Sequence, residues 1–472
     1  MAALLQNMKS AFEASEALAN GISKDGQFRP YQIVLPFSFV GMAVLYMSVG
    51  YAASIPFLIC YLVWFFKSDI ESNIVFLLAI QPFAALFKAG SQLPSFTVIF
   101  YFLLIVKAFL SLKDNPFSRG PILSLMVMAF SFLMAIQLLN VIVAAAPIGK
   151  VVAFALNIAL CVASILALYA SDSSSLLRMR SDVAICFPLA VAAMILVADM
   201  YPSLVYSVIP RESTFQTAGV IYDRFSGLAG DANYYSQLVL CAVALSLGDA
   251  LVKGSKRVQF FDLIVTVFLI VQGARSYSKS YYITLFMVIV AFCILLGRRA
   301  FTGSKQKAAL FIVCMPLLLG TVAVVAIELI MPGFMLRMES GQDISTGRFD
   351  IWSSYISGWL SNISYVVFGL GFDNARHVVG SGDAAHNAYL ELFVELGLLG
   401  IICLAVIWAP ALKSFKNIFN EPRVLYLVPL AVTCLGLALS DYDFVYLCIS
   451  VLPCFRYLQG EEAVIDQNFI QS

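Results

Sequence analysis

Apolar runs separated by short polar connections repeat along almost the whole chain. Fourteen runs, near 31–48, 51–66, 74–90, 94–112, 121–141, 150–170, 183–201, 235–252, 260–274, 280–297, 308–331, 388–411, 424–440 and 444–459, read as membrane spans. The first and last pairs are short, so their boundaries are free to shift or merge. Basic residues test this order, because inner loops are enriched in Lys and Arg. With both termini inside, 20 of the 29 Lys and Arg fall on the inner side, in connections such as "KDNPFSR", "LLRMR", "KGSKR", "GRRAFTGSKQK" and "LKSFK". The alternation holds throughout and supports an even number of spans. The expected fold is an all-α polytopic membrane protein of about 14 transmembrane helices.

Two polar stretches break the rhythm, 202–234 and 332–387, and both fall outside. Connections that long in a compact membrane protein usually carry function. The chain therefore divides into an inner N-terminal segment (1–30), an N-terminal bundle (31–201), an outer loop (202–234) and central spans (235–331). A large outer loop with short helices (332–387), C-terminal spans (388–459) and an inner tail (460–472) complete it.

Composition agrees. Hydrophobic residues make up 61% of the chain and charged residues 12%, with a mean hydropathy of +0.90; soluble domains carry about twice that charged fraction. A net charge of +1 and the lack of a basic soluble domain argue against nucleic acid as a partner. The first 30 residues carry mixed charge and no apolar core, so no cleavable signal is expected. The ten cysteines lie in apolar segments and form no C-x-x-C, which makes zinc and a disulfide framework improbable.

The chemistry gathers on the outer side. Arg224 lies in "YDRFSGLAGDANYYSQ", Arg275 and Lys279 in "GARSYSKSYY", and Arg348 in "STGRFDIW". One boundary cation is explained by snorkelling. Three arginines and a histidine on one face suggest recognition of an anion, and the fixed guanidinium fork suits diphosphate oxygens. In "TGRFDIWSSYISGWLSN", Ile351, Trp352, Tyr355, Trp359 and Leu360 form a helical stripe, either seated at the lipid headgroups or packed as core. In "GDAAHNAYLELFVELGLLG", Asp383 is an N-cap candidate for a helix starting at Ala384. His386 would then sit in the first turn, where the helix dipole disfavours its charged form. An imidazole at such a boundary serves as a hydrogen-bonding anchor or, when neutral, as a general base. Gly397 and Gly400 would permit close helix approach.

His386-Asn387, nine residues, then Gly397-x-x-Gly400 resembles the H-[N/S/Q]-x9-G-x-x-G signature of the O-antigen ligase and Wzy-type polymerase family. "RFSGLAGDAN", "GARSYSK" and "GRFDIW…FGLGF" resemble further blocks of that family and follow its order, with Ala232 and Ala274 as departures. The likeness covers about 220–410; before that only the span pattern agrees. It implies a metal-independent, inverting GT-C-type glycosyltransferase without cofactor in the bacterial inner membrane, its active site facing the periplasm. The donor would be an undecaprenyl-diphosphate-linked oligosaccharide and the acceptor a saccharide hydroxyl. Flippase and chain-length regulator proteins would be its partners, and no outer D-x-D suggests a metal site. The catalytic set implied is His386, Arg224, Arg275 and Arg348, with Lys279, Asn387, Asn233 and Asp231 binding substrate. Ligases pass polymer to lipid A–core, and polymerases to another lipid-linked repeat. Fourteen spans exceed the roughly twelve usual for ligases and favour a polymerase. A transporter is the alternative from another class, but no internal repeat is evident.

Overall fold

The computed structural model describes residues 29–86, 96–112, 121–209, 214–217, 220–252, 256–302, 335, 348–380, 382–414, 421–438 and 443–456. Prolines, glycine and acidic caps set the helix boundaries. Helix α1 (Pro30–Val49) starts on a proline, and only Gly50, at φ 96°, separates it from α2 (Tyr51–Lys67); glycine enters that region without a Cβ clash. Helix α3 (Ile70–Ile80) is capped by Asp69, whose carboxylate accepts the Ser72 N–H at 2.8 Å. Then come α4 (Phe96–Leu112), α5 (Pro121–Val143), α6 (Ile148–Ala170) and α7 (Ser173–Met200). Helix α7 is capped by Asp172, which accepts the Ser175 N–H at 2.8 Å.

The first long polar stretch holds α8 (Pro202–Val208) and an antiparallel hairpin of β1 (Thr214–Thr217) and β2 (Val220–Asp223). Apart from this short hairpin, the described elements are all helices or 3-10 turns, as expected. Helices α9 (Ala232–Leu251), α10 (Lys256–Ala274) and α11 (Lys279–Thr302) follow. The second polar stretch contains the expected short helices, α12 (Arg348–Leu360), α13 (Ile363–Phe368) and α14 (Ala375–Val378). The C-terminal part comprises α15 (Ala388–Leu412), α16 (Leu427–Thr433) and α17 (Phe444–Val451).

Seven of these helices are long and apolar enough to cross a membrane, and six shorter apolar helices accompany them, each at an expected span. The chain is thus a multi-pass membrane protein. The expected span 308–331 and the segments 1–28 and 457–472 lie outside the described residues. Two expectations change. The connection "LLRMR" belongs to α7, because Asp172 starts that helix about three turns before the apolar run. The last two expected spans are broken: α16 is flanked by 3-10 turns at Pro422–Tyr426 and Cys434–Gly436, and α17 runs into another at Leu452–Phe455. Pro422 and Pro453 lie within these turns, where a missing N–H does least harm.

Helix α9 is the centre of the bundle, packed against α7, α10, α11 and α16. Its small residues allow this. A Cβ on Gly248 would lie 2.5 Å from the Pro422 carbonyl oxygen, so only glycine admits the turn that opens the C-terminal helices. A buried ion network holds the same end: Arg423 meets Glu421 at 2.6 Å and Asp249 at 3.3 Å, and Arg180 meets Glu421 at 3.1 Å. Each charge there has an opposite partner, which burial demands. Around the bundle, Phe37, Phe66, Phe102, Met128, Ile142 and Phe286 are exposed, the pattern a lipid-facing surface requires.

Candidate active site

The site is assembled where α9, α11, α12 and α15 begin. Two polar blocks are joined first. Phe225 donates its backbone N–H to the Arg275 carbonyl at 3.0 Å, and Arg224 Nε donates to the Ser276 carbonyl at 3.0 Å. Arg224 Nη2 reaches Asn233 Oδ1 at 3.1 Å, and the Ser278 hydroxyl donates to the same oxygen at 2.9 Å. Ser278 and Ser280 hydroxyls lie 2.8 Å apart. Asp231 caps α9 by accepting the Asn233 and Tyr234 N–H groups at 2.6 and 3.2 Å. Arg224 and Asn233 thus spend much of their hydrogen-bonding capacity on building a frame.

Arg348 enters this frame as the first residue of α12. A Cβ on Gly436 would lie 3.4 Å from Arg348 Nη1 and 3.9 Å from Ser280 Cβ, which puts the guanidinium between α11 and the turn after α16. Burial pulls its pKa down while the Asp231 carboxylate pushes it up. A half-buried cation at the positive end of a helix is poorly accommodated without an anion.

His386 sits beside it. Burial lowers the imidazole pKa below its ordinary 6.5, the Arg348 charge lowers it further, and Asp231 and Asp383 oppose this. The expected helix start is corrected. Asn387 is the cap, its Oδ1 accepting the Leu390 N–H at 3.2 Å, and α15 begins at Ala388. His386 precedes the cap at φ 48°, a left-handed conformation, rather than occupying a first turn. Its neutral form is favoured by local desolvation and by the Arg348 charge, not by the helix dipole. Asn387 uses its side-chain oxygen on the helix, so any sugar contact falls to its Nδ2.

The aromatic stripe of α12 packs as core. Tyr355 is buried with Leu370, Ala375, Ala385 and Val394, and Ile351, Trp352 and Trp359 pack around them. Leu360, counted with the stripe, is 60% exposed and lies off this face. The two glycines of the signature also differ in role. Gly397 breaks α15 at φ 64°. Leu370 and Gly371 insert there, their N–H groups donating to the Val394 and Glu395 carbonyls at 3.0 Å each. Backbone groups freed by the break are thereby satisfied. Gly400 instead faces Leu133 of α5, a span-to-span contact.

Arg275 is held apart from His386. Its Nη1 pairs with Asp199 at 2.8 Å and with Gln272 Oε1 at 2.6 Å, and the guanidinium stacks 4.2 Å above Phe225. Lys279 opens α11, half-buried. Arg348 and Asp231 therefore lie where their charges act on His386, Arg224 and Asn233 join the neighbouring polar blocks, and Arg275 stands at an exposed rim. Residues that sequence reasoning missed are Asp199, Ser278, Ser280 and Gly436. The alternating serines of "RSYSKS" are the only sequence signal for any of them.

A comparison with known families finds a match over part of this arrangement. Residues 264–405 match the O-antigen ligase family. The matched segment runs from within α10, through α11 and the second polar stretch, into α15, and it contains Arg275, Lys279, Arg348, His386 and both signature glycines. Arg224, Asp231 and Asn233 precede it, attached by the hydrogen bonds to Ser276 and Ser278. A comparison with curated proteins found no match.

Proposed function

We propose that this protein is a Wzy-type polymerase of a bacterial surface polysaccharide (O-antigen, capsule or exopolysaccharide), working at the periplasmic face of the inner membrane. The O-antigen ligase match supports glycosyl transfer of the ligase/polymerase type. One observation carries the site assignment: α12 begins with Arg348, whose guanidinium lies between α11 and the turn after α16, and the same helix holds the segment that leads into His386. Arg348 is the principal contact for the donor diphosphate. Arg275 is a second contact, because its pair with Asp199 is 44% and 33% exposed and cheap to open. Lys279 helps bind the donor; Arg224, Asp231 and Asn233 keep the pocket in shape.

The acceptor hydroxyl attacks the anomeric carbon, forming the new C–O bond as the carbon–diphosphate bond breaks. The hydroxyl proton passes to His386, and lipid diphosphate leaves with the electron pair. Attack opposite the leaving group inverts the anomeric centre. No step requires a metal or cofactor.

The number of expected spans favours a polymerase; the family match, described as O-antigen ligase, favours transfer of finished polymer to lipid A–core as the second reading. Lipid and polysaccharide analysis of a deletion strain separates them. Retained single repeats mean a polymerase, complete chains left on undecaprenyl diphosphate mean a ligase, and an unchanged profile sinks both.

A further inference from the structure

His386 is held from both sides. Downstream, Asn387 is fixed by its capping bond to Leu390. Upstream, the irregular strap 383–385 is tied by two aromatics of α12. Trp352 Nε1 donates to the Ala385 carbonyl at 2.8 Å, and the Tyr355 hydroxyl donates to the Asp383 carbonyl at 3.0 Å. Trp352 and Tyr355 are three residues apart, so both face the strap from one side of the helix. Tyr355 is 1% exposed and anchored in the satellite core. The same helix begins with Arg348, so one rigid element carries the guanidinium and grips the strap that carries the imidazole.

We propose that Trp352 and Tyr355 are positioning residues, which fix the His386 imidazole relative to the Arg348 guanidinium. This rests on the base role given to His386 above. Trp359 supplies an internal comparison. It lies on the same helix and makes the same kind of bond, Nε1 to the Tyr365 carbonyl at 3.0 Å, but away from the strap.

The chain has two histidines, and His377 is exposed on α14. Full-length, histidine-labelled protein carrying His377→Gln therefore shows a single imidazole signal by NMR. Trp352→Phe and Tyr355→Phe each delete one donor while keeping an aromatic ring. In the double variant the His386 signal should shift or split, and kcat on a lipid-diphosphate-linked oligosaccharide should fall by about 10- to 100-fold. KM should stay within about twofold, because substrate contacts remain. Trp359→Phe should leave both the signal and kcat unchanged. A double variant whose imidazole signal matches the parent's overturns the tether, whatever its kcat. A displaced signal with parental kcat leaves the tether standing and removes the base role of His386.

Discussion

A histidine at φ 48° costs the fold about 1–3 kcal/mol relative to an ordinary backbone conformation, and strain of that kind collects at functional sites. The Arg348 charge also acts on the imidazole and disfavours its protonated form. His386→Ala should therefore lower turnover by ~10²–10⁴ while donor binding persists. The exposed His377→Ala is the control, and more than about a tenth of normal turnover in His386→Ala would refute the base role. Activity needs the neutral imidazole, so it should be lost as pH falls through a midpoint below the ordinary 6.5. Arg348→Gln removes a charge that lowers this pKa, so the acid limb of its residual activity should move to higher pH. Arg348→Lys keeps the charge but not the fork and should still lose about tenfold or more. Arg275→Lys should be milder, since that side chain stands at the exposed rim. Equal losses in both lysine variants would contradict this ranking. The sequence supplied the residue types and the polar stretches that hold them. It could not rank the arginines, because the partner that occupies Arg275 is Asp199, on a helix 76 residues away.

Among the elements, helix α15 shows why part of the site was not readable. Asp383 and Asn387 are both good caps, and local propensity does not choose between them. Tertiary bonds do: the Asp383 and Ala385 carbonyls are taken by Tyr355 and Trp352, which keeps the strap from winding into helix. The stripe of α12 was legible as a helix face, and its partner was not, since "FGLGF" and "HNAYLELF" meet only after folding. The glycines make a sharp test. A Cβ on Gly397 would lie 2.3 Å from the Gly369 nitrogen and 2.7 Å from the Val367 oxygen, at a positive φ besides. Gly397→Ala should destabilise by about 3 kcal/mol or more. Gly400 keeps a helical φ, but a Cβ there would lie 2.7 Å from the Leu396 Cβ and 3.3 Å from the Leu133 side chain, so Gly400→Ala should cost about 1–2 kcal/mol, less than Gly397→Ala. Thermal unfolding of the purified variants in one detergent measures the difference, and a Gly397→Ala protein as stable as Gly400→Ala would disprove the break.

For the whole molecule, the apolar pattern located almost every helix, because lipid forces backbone hydrogen bonds to close within each span. Where it erred, a polar interaction had extended or broken an element: Asp172 lengthens α7, and Pro422 and Pro453 shorten the C-terminal spans into turns. Which side the site faces is a separate matter, resting on 20 inner against 9 outer basic residues. From that imbalance α12 and α13 are expected outside. Ser357 and Ser364 are exposed on these helices, whereas the native cysteines of the described residues are buried or only partly accessible within apolar helices. Ser357→Cys and Ser364→Cys should thus react with a membrane-impermeant maleimide in intact spheroplasts, over a low native background. Lys413 lies at the far end of α15, and Lys413→Cys should react only after lysis. The reverse labelling would invert the topology and put His386 on the cytoplasmic side, where a periplasmic polymerase could not use it. The contrast is decisive because α15 runs between the two sides: His386 and Asn387 lead into its start, on the side of α12 and α13, and Lys413 caps its far end.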